Sequence, residues 1–158
     1  MIEYISKIFR YILIKMHQIV NYNLYKNKVK IFGIPFLVHR KNISIGENSR
    51  INPSVVMYGH GGIEIGENVT LSHGVSIYST GYDTNEWENN KINKIHKSGR
   101  VKIEKNSWIG ANSIILKDVT IAEGCVVAAG SVVIKSLQEP NTLYAGNPAQ
   151  KVKSLIIE

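Results

Sequence analysis

Cysteine, long apolar runs and acidic residues are all scarce in this chain. Cys125 is the only cysteine among 158 residues, which excludes an internal disulfide and a cysteine-based zinc cluster and fits a reducing compartment. The apolar runs are too short for a secretory signal or a spanning helix, so the sequence predicts neither. With 44% apolar and 20% charged residues, the chain has material for one folded domain rather than a disordered tail.

Because acidic residues are few, the chain carries a net positive charge. Twelve Asp and Glu residues stand against nineteen Lys and Arg residues, and the formal net charge is +7. Such a charge favours an anionic small molecule, an acidic membrane or nucleic acid as partner. No nucleic-acid motif and no basic stripe with interleaved aromatic residues accompanies it, so we expect no nucleic-acid partner.

The first thirty residues predict an amphipathic helix, because apolar residues recur there at intervals of three and four: Ile5, Ile8, Phe9, Ile12, Leu13, Met16, Ile19 and Val20. Lys7, Arg10 and Lys15 make this helix basic. Packing on its own domain or on a neighbouring subunit is the favoured use, and weak contact with an anionic membrane is the alternative. We expect a helical segment at 1–30, a main domain at 31–153 and a tail at 154–158, in a cytoplasmic protein that can work at the inner face of the membrane.

A six-residue period runs through the main domain. The unbroken series is Ile103, Ile109, Ile115, Ile121, Val127 and Val133. Four residues after each of these stands a mostly small residue: Ser107, Ser113, Val119, Cys125, Ser131 and Leu137. An earlier series begins with Ile45, Ile51 and Met57 and resumes, after a slip of two residues, with Ile65, Leu71 and Ile77. A helix needs a period of 3.6 and a hairpin sheet a period of two, so the pattern predicts an all-β solenoid of short parallel strands, three hexads to a coil.

The residue before each small residue is of a type that favours a turn of the backbone. Asn106, Asn112, Asp118, Gly124 and Gly130 share this position. These residue types accept left-handed backbone angles at low cost. Each hexad is therefore interpreted as a short strand followed by a bend, and Cys125 as a packed thiol facing inward.

Three segments carry a resemblance to a known family: Trp108 to Asn112 (WIGAN), Ala128 to Val133 (AAGSVV) and Ala145 to Ala149 (AGNPA). Over roughly residues 43–153 the chain resembles the hexapeptide-repeat acyltransferases, in the branch of maltose, galactoside and polysaccharide O-acetyltransferases. The resemblance implies a left-handed parallel β-helix, a homotrimer, acetyl-CoA as acyl donor and no metal. It also implies a sugar hydroxyl as acceptor, on a bacterial surface polysaccharide or its precursor.

The longest break in the period lies between Ile77 and Ile103, where an insertion of about residues 79–102 is predicted. Long loops in small domains are usually functional, and this one holds Tyr82, Asp83 and Trp87 as well as His96. In the family, the same insertion brings a catalytic histidine to the acceptor hydroxyl as general base, because imidazole titrates nearest to neutral pH. In this sequence, Tyr82 and Asp83 stand where the family has histidine followed by Asp.

A phenol is a poor base at neutral pH, so another histidine is needed. His96 in the same loop is the first candidate, with Asp83 to orient its ring and Tyr82 as a hydrogen-bonding neighbour. His60, predicted one coil below the loop beneath Thr80, and His73, at a corner away from it, are the alternatives. His17 and His39 are placed outside the coils and assigned structural roles. Three residues are predicted to bind substrate: Tyr58, His60 and Trp87.

The resemblance also implies a cofactor-binding set. Backbone amides at Ala111 and Ala129 correspond to positions that hold the pantetheine arm, beside Trp108. Basic side chains correspond to positions near the nucleotide and its phosphates: Lys135, Lys151 and Lys153. Each of these lysines is equally well explained as a solvated charge.

Other functions stay open at this point. A solenoid that lost its base would be a scaffold or binding protein, which the tyrosine at position 82 favours. An amine acceptor would make the chain an N-acetyltransferase acting on an amino sugar. A zinc enzyme like the γ-class carbonic anhydrases would need three histidine ligands at a subunit boundary, and their closely spaced histidine pair is absent from this sequence.

Overall fold

The computed structural model of the protein describes residues 2–85 and 87–156. It begins with two helices, α1 (Ile2–Val20) and the short α2 (Tyr22–Tyr25). The remaining chain winds into coils of short strands that stack into three parallel sheets, which we call faces A, B and C. This confirms the predicted β-solenoid with an N-terminal helix.

Successive coils contribute their strands to each face in turn. Face A contains β1 (Lys30–Ile31), β4 (Arg50–Ile51), β7 (Thr70–Leu71), β12 (Trp108–Ile109), β15 (Val126–Val127), β17 (Thr142–Ala145) and the antiparallel β18 (Gln150–Ser154). Face B contains β2 (Phe36–Val38), β5 (Val56–Tyr58), β8 (Ser76–Tyr78), β13 (Ile114–Ile115) and β16 (Val132–Val133). Face C contains β3 (Ile43–Ile45), β6 (Ile63–Ile65), β11 (Val101–Ile103) and β14 (Thr120–Ile121).

The hexads stack in register, as the period predicts. Ile77 pairs with Ile115 and Ile115 with Val133 along face B, so equivalent apolar residues of successive coils lie on one another. All six members of the unbroken series, and nearly all of the small residues that follow them, are fully buried. The core is therefore a column of Ile and Val side chains that each coil extends by one layer.

The predicted corners are left-handed turns. The backbone angle φ is positive at Asn106 (62°), Asn112 (57°), Asp118 (63°), Gly124 (68°) and Gly130 (71°). Only glycine and, among other residues, asparagine and aspartate enter this region readily. The repeat of residue type at this position is thus the direct cause of the repeated bend.

The two-residue slip lies in the corner between β5 and β6. Met57 pairs with Ile77, twenty residues on, whereas the coils after the insertion repeat every eighteen residues. The extra residues are accommodated within Gly59–Gly62. A β-carbon at Gly61 would lie 2.5 Å from the Ser79 carbonyl oxygen, so this corner packs backbone against backbone.

The solenoid starts earlier than the resemblance suggested. Strands β1 and β2 already pair in parallel with β4 and β5, which places the first coil before residue 43. The placement of His39 outside the coils is therefore wrong, because His39 forms the first corner between faces B and C, with φ of 52°.

The two ends of the solenoid are covered differently. Helix α1 contacts the core through Ile14, and the His17 ring lies 3.0 Å from the Tyr25 hydroxyl, Nε2 to Oη. At the other end β18 folds back along β17. None of the helices in the described part of the chain combines the length and apolar character needed to cross a membrane.

Candidate functional site

The insertion forms a hairpin at the edge between faces B and C. Strand β9 (Thr80–Tyr82) leaves the third coil, the short helix α3 (Trp87–Asn90) lies in the intervening segment, and β10 (His96–Ser98) returns antiparallel to β9. The coil resumes at Val101. The hairpin is anchored by the buried Ser79, whose hydroxyl donates to the Tyr58 carbonyl at 2.6 Å and accepts from the Gly61 N–H at 2.9 Å.

Two of the predicted catalytic residues meet across this hairpin. Tyr82 and His96 are direct partners in the antiparallel ladder, and their ring centroids lie 4.5 Å apart with 40° between the ring planes. Both side chains are exposed. Among the residues that the structure describes, none hydrogen-bonds to the ring nitrogens of His96, so both nitrogens can face a ligand.

Asp83 does not orient the His96 ring. Its Oδ1 atom accepts a hydrogen bond from the Asn85 backbone N–H at 3.0 Å, and its own N–H donates to the Ile95 carbonyl at 2.8 Å. The carboxylate thus fixes the turn that follows β9. Its predicted role at the ring is wrong because this local turn occupies it. Trp87 begins helix α3 and is 41% exposed, in the same inserted segment.

The other predicted histidine of this edge belongs to an aromatic stack. The His60 ring lies 4.1 Å from the His39 ring and 6.2 Å from the Tyr58 ring, centroid to centroid, and is nearly parallel to the latter. Tyr58 in turn lies 5.3 Å from Tyr78. Because Tyr58 pairs with Tyr78, His60 sits one coil below the start of the hairpin, as predicted.

Two residues of this edge, Lys117 and Asp118, were not predicted from the sequence as part of the site. A β-carbon at Gly81 would lie 3.8 Å from Lys117 Cδ, and one at Gly99 would overlap the Asp118 carboxylate, so the base of the hairpin rests on the next corner. Lys117 and Asp118 form an ion pair of 2.9 Å there. The only sequence signal was their position in the hexad, one repeat above the insertion.

The predicted pantetheine positions lie at the edge between faces A and B. Ala111 and Ala129 occupy corners of successive coils, and the Gly130 N–H donates to the Ala111 carbonyl at 2.8 Å. Within the described residues, the backbone N–H groups of Ala111 and Ala129 donate to no protein acceptor. Trp108 is exposed beside this edge, and its indole N–H donates to the Ser72 hydroxyl at 2.9 Å.

Two of the three predicted phosphate-binding lysines share a pocket and the third does not. Lys135 and Lys151 line one pocket of about 320 Å³ at the C-terminal end of the solenoid, together with Tyr144 and Pro148. Lys151 pairs with Glu139, which raises the pKa of its ammonium group. Lys153 lies outside the lining of this pocket, opposite Leu143 in the β17–β18 ladder.

The hairpin and the amide pair therefore occupy different edges of one chain. Ala111 and Lys117 are six positions apart, with β13 between them, and six residues of extended chain span at most about 20 Å. His73 lies at the amide edge, since its carbonyl accepts from the Asn112 N–H at 2.9 Å. His96 and the Ala111 amide therefore belong to two different corners of the coil.

The described residues contain neither a metal-binding cluster nor a reactive thiol. Among residues 2–85 and 87–156, no three His, Cys, Asp or Glu side chains are grouped to hold a metal ion. Cys125 is buried, its Sγ donates to the Glu139 carbonyl at 3.2 Å, and burial raises the pKa of the thiol. A thiol in this setting is protonated and inert.

Family models match the coils on both sides of the hairpin. Residues 42–79 match the hexapeptide repeat of succinyl-transferase, and residues 100–135 match the bacterial transferase hexapeptide of six repeats. The insertion at 80–99 falls between the two matches.

Three proteins illustrate the similarity. Galactoside O-acetyltransferase of Escherichia coli is 30% identical over 125 residues, which cover 76% of this chain and 58% of that protein. A hexapeptide-repeat containing acetyltransferase from Vibrio cholerae has a structure with a TM-score of 0.75 and 31% identity, covering 82% of this chain and 72% of that one. A maltose O-acetyltransferase from Clostridium difficile gives a TM-score of 0.74 and 33% identity, covering 82% and 67%.

The Vibrio cholerae protein has also been solved as a complex with acetyl coenzyme A, which matches with a TM-score of 0.73 and 32% identity, over 78% of this chain and 66% of that one. The chain spans somewhat under three fifths of the curated relatives it matches, 57% and 58% in two of them.

Proposed function

Since this chain belongs to the hexapeptide-repeat acetyltransferase family, we propose that it transfers an acetyl group from acetyl-CoA to a hydroxyl group of a sugar. The observation that carries this proposal is the His96 ring, held against Tyr82 on the hairpin, with no hydrogen bond from its nitrogens to any residue that the structure describes. Related enzymes act on galactosides and maltose, which supports a sugar acceptor.

The amide edge is the proposed binding site for the donor. The N–H groups of Ala111 and Ala129, which have no acceptor in the described part of the chain, can donate to the amide carbonyls of the pantetheine arm, and their methyl side chains leave the backbone accessible. Lys135 and Lys151, in their shared pocket, supply positive charge for the phosphates of the nucleotide. The complex of the Vibrio cholerae relative with acetyl coenzyme A supports this choice of donor.

His96 is the proposed general base. A ring nitrogen accepts the proton of the acceptor hydroxyl while the hydroxyl oxygen forms a bond to the acetyl carbon. The carbon–sulfur bond of the thioester breaks, and the sulfur of CoA takes the proton back from the imidazolium. No covalent bond to the protein is needed, and Tyr82 acts by holding the ring in place.

The acceptor is proposed to lie along the aromatic side chains of the hairpin edge. Tyr58 and the His60 ring form a stacked pair on face B, and Trp87 is exposed in the inserted segment. Flat aromatic surfaces flanked by polar groups bind the apolar faces of sugar rings. We assign the acceptor to the sugars of a surface polysaccharide or its precursor.

The separation of the two edges supports an oligomer with shared sites. A neighbouring copy that sets its amide edge against this hairpin would bring donor and base together. The three-faced solenoid suits cyclic assembly, and we propose a homotrimer with one site at each of three equivalent boundaries.

Tyr82 itself favours a second candidate function. It stands where the family has its histidine, so a chain in which His96 does not act would be a binding or scaffolding solenoid. The two candidates differ in thiol release: the transferase releases CoA from acetyl-CoA when an acceptor is added, and the scaffold does not.

The test combines binding with product analysis. Calorimetric titration with acetyl-CoA and CoA measures donor binding, expected in the micromolar to millimolar range. Incubation with galactosides, glucosides and matched amino sugars, followed by mass spectrometry, identifies the acetylated atom. An ester product on the neutral sugars supports the proposal, whereas an amide formed only on amino sugars would replace it with N-acetyl transfer.

A further inference from the structure

Helix α1 carries an apolar face that residues 2–85 and 87–156 leave uncovered. Its apolar residues recur at helical spacing and are between 45% and 75% exposed: Ile5, Ile8, Phe9, Ile12, Met16 and Ile19. An amphipathic helix of a globular domain normally turns this face toward the core. In this fold the core does not receive it.

The helix contacts its own domain through the opposite side. Ile14, His17 and Gln18 are the only residues between 3 and 20 that are not exposed. At 100° per residue they cluster on the side of the helix opposite Ile5 and Ile12. The fold therefore points the apolar face of α1 away from the solenoid.

The charge of the chain is concentrated beside this helix. Residues 1–41 contain eight of the nineteen Lys and Arg residues but only one of the twelve Asp and Glu residues, a net +7. Residues 42–158 contain eleven of each sign and are neutral overall. All eight basic side chains are exposed, and three of them lie on α1 itself: Lys7, Arg10 and Lys15.

We propose that α1 lies on the surface of an anionic membrane, with its apolar face in the boundary between headgroups and acyl chains. Helices bind in this way when an apolar face is opposed by a polar face that carries Lys and Arg, as Lys7 and Arg10 do on the side of Ile14. The basic residues of the segment 1–41 add attraction to acidic headgroups. The solenoid then rests on the water-facing side of the helix, through Ile14 and His17.

The net charge of residues 1–41 favours an anionic membrane, rather than a second copy of the chain, as the partner of the apolar face of α1. An interface built on the face of α1 would bring two segments of net +7 together, and like charges that are close repel. An anionic bilayer neutralises the same charge. Apolar area and charge thus favour a lipid surface over self-association. This inference does not depend on acetyl transfer.

Vesicle sedimentation of the full chain tests the proposal. The vesicles are phosphatidylcholine alone, or phosphatidylcholine mixed equally with phosphatidylglycerol. The chain is expected to sediment with the mixed vesicles and to be released by high salt, because screening weakens the attraction. The variant I5Q/I12Q/M16Q should bind at least about tenfold more weakly, since it removes apolar side chains from the bilayer.

Two further variants separate the causes. K7Q/R10Q/K15Q should lose about tenfold or more of its binding to the mixed vesicles, since each basic residue near the surface contributes about 1 kcal/mol. L155Q/I156Q removes exposed apolar side chains at the other end of the chain and should bind like the unmodified protein. Circular dichroism checks that each variant is folded.

Two results would overturn the proposal. One is equal sedimentation of the unmodified chain and I5Q/I12Q/M16Q. The other is the absence of vesicle binding together with a smaller native mass for I5Q/I12Q/M16Q, which would make the face of α1 a contact between copies.

Discussion

Tyr82 and His96 are paired residues of one antiparallel ladder, and their rings lie 4.5 Å apart. The pairing joins the two ends of an insertion that contributes no layer to the solenoid core. It gives an exposed histidine a fixed aromatic neighbour, although the segment between them is long. A ring held this way can meet a substrate without first being ordered.

The first prediction concerns the base. His96→Ala should lower kcat by about a hundredfold or more, the usual contribution of a general base, with little change in acetyl-CoA affinity. The control is Lys97→Ala, which removes the neighbouring side chain on the other side of the same strand. Steady-state kinetics and calorimetry measure the two effects. Unchanged turnover in His96→Ala, with loss in His60→Ala, would assign the base to His60.

The second prediction concerns the ring of Tyr82. Tyr82→Phe keeps the aromatic contact and should retain most of the activity. Tyr82→Ala should reduce kcat about two- to tenfold, the worth of one aromatic pair, and leave KM for acetyl-CoA unchanged. The pH profile of kcat/KM should keep its midpoint in Tyr82→Phe. A shifted midpoint in that variant would mean that the phenol itself takes part in proton transfer.

The third prediction concerns the shared site. Ala129→Leu places a bulky side chain beside the proposed amide contact and should weaken acetyl-CoA binding by about tenfold or more. If each site lies between copies, mixing Ala129→Leu with His96→Ala should restore about a quarter of the sites in a random equal mixture. Co-expression followed by an activity assay measures this. A mixture no more active than its parts would contradict a site shared between copies.

The fourth prediction concerns the core column. Ile115 is fully buried between Ile77 and Val133, so Ile115→Ala should lower the free energy of unfolding by about 2–5 kcal/mol. Ile92 is 87% exposed, and Ile92→Ala should change the free energy of unfolding by less than about 0.5 kcal/mol. Urea denaturation compares the two. Equal effects would contradict the stacking of the hexads.

The fifth prediction concerns pH. Burial, and to a lesser degree the nearby Arg40, lowers the pKa of His17 below its ordinary value of 6.5. The unfolded chain therefore binds the proton more readily, and stability is lost as the pH falls below about 6.5. Urea midpoints at about pH 7.5 and about pH 5.5 should differ less in His17→Gln than in the unmodified protein. An identical pH dependence would show that folding does not change the pKa of His17.

The sequence predicts the coils because the same two positions of every six residues face the core, a period that no other regular structure shares. It also predicts the corners, since Asn112 and Gly130 reveal where the backbone turns left-handed. The corner of the first coil was not predicted, because it is formed by His39 rather than by the Asn, Asp or Gly of the later corners.

The site was predicted less completely. Residue types identified the hairpin, but the contact between Tyr82 and His96 depends on strand pairing inside an aperiodic insertion, which sequence does not specify. The prediction paired Asp83 with the His96 ring. Its carboxylate instead accepts from the Asn85 N–H two residues on, because Asp side chains readily form such local turns. Periodicity likewise predicted α1 but not the side that it turns toward the solenoid.

The most direct measurement is thiol release from acetyl-CoA by the purified chain, with and without sugar acceptors. We expect release that requires both the protein and a hydroxyl acceptor and that falls about a hundredfold or more in His96→Ala. No donor binding at millimolar acetyl-CoA and no acceptor-dependent release from any sugar would contradict acetyl transfer and leave a binding solenoid.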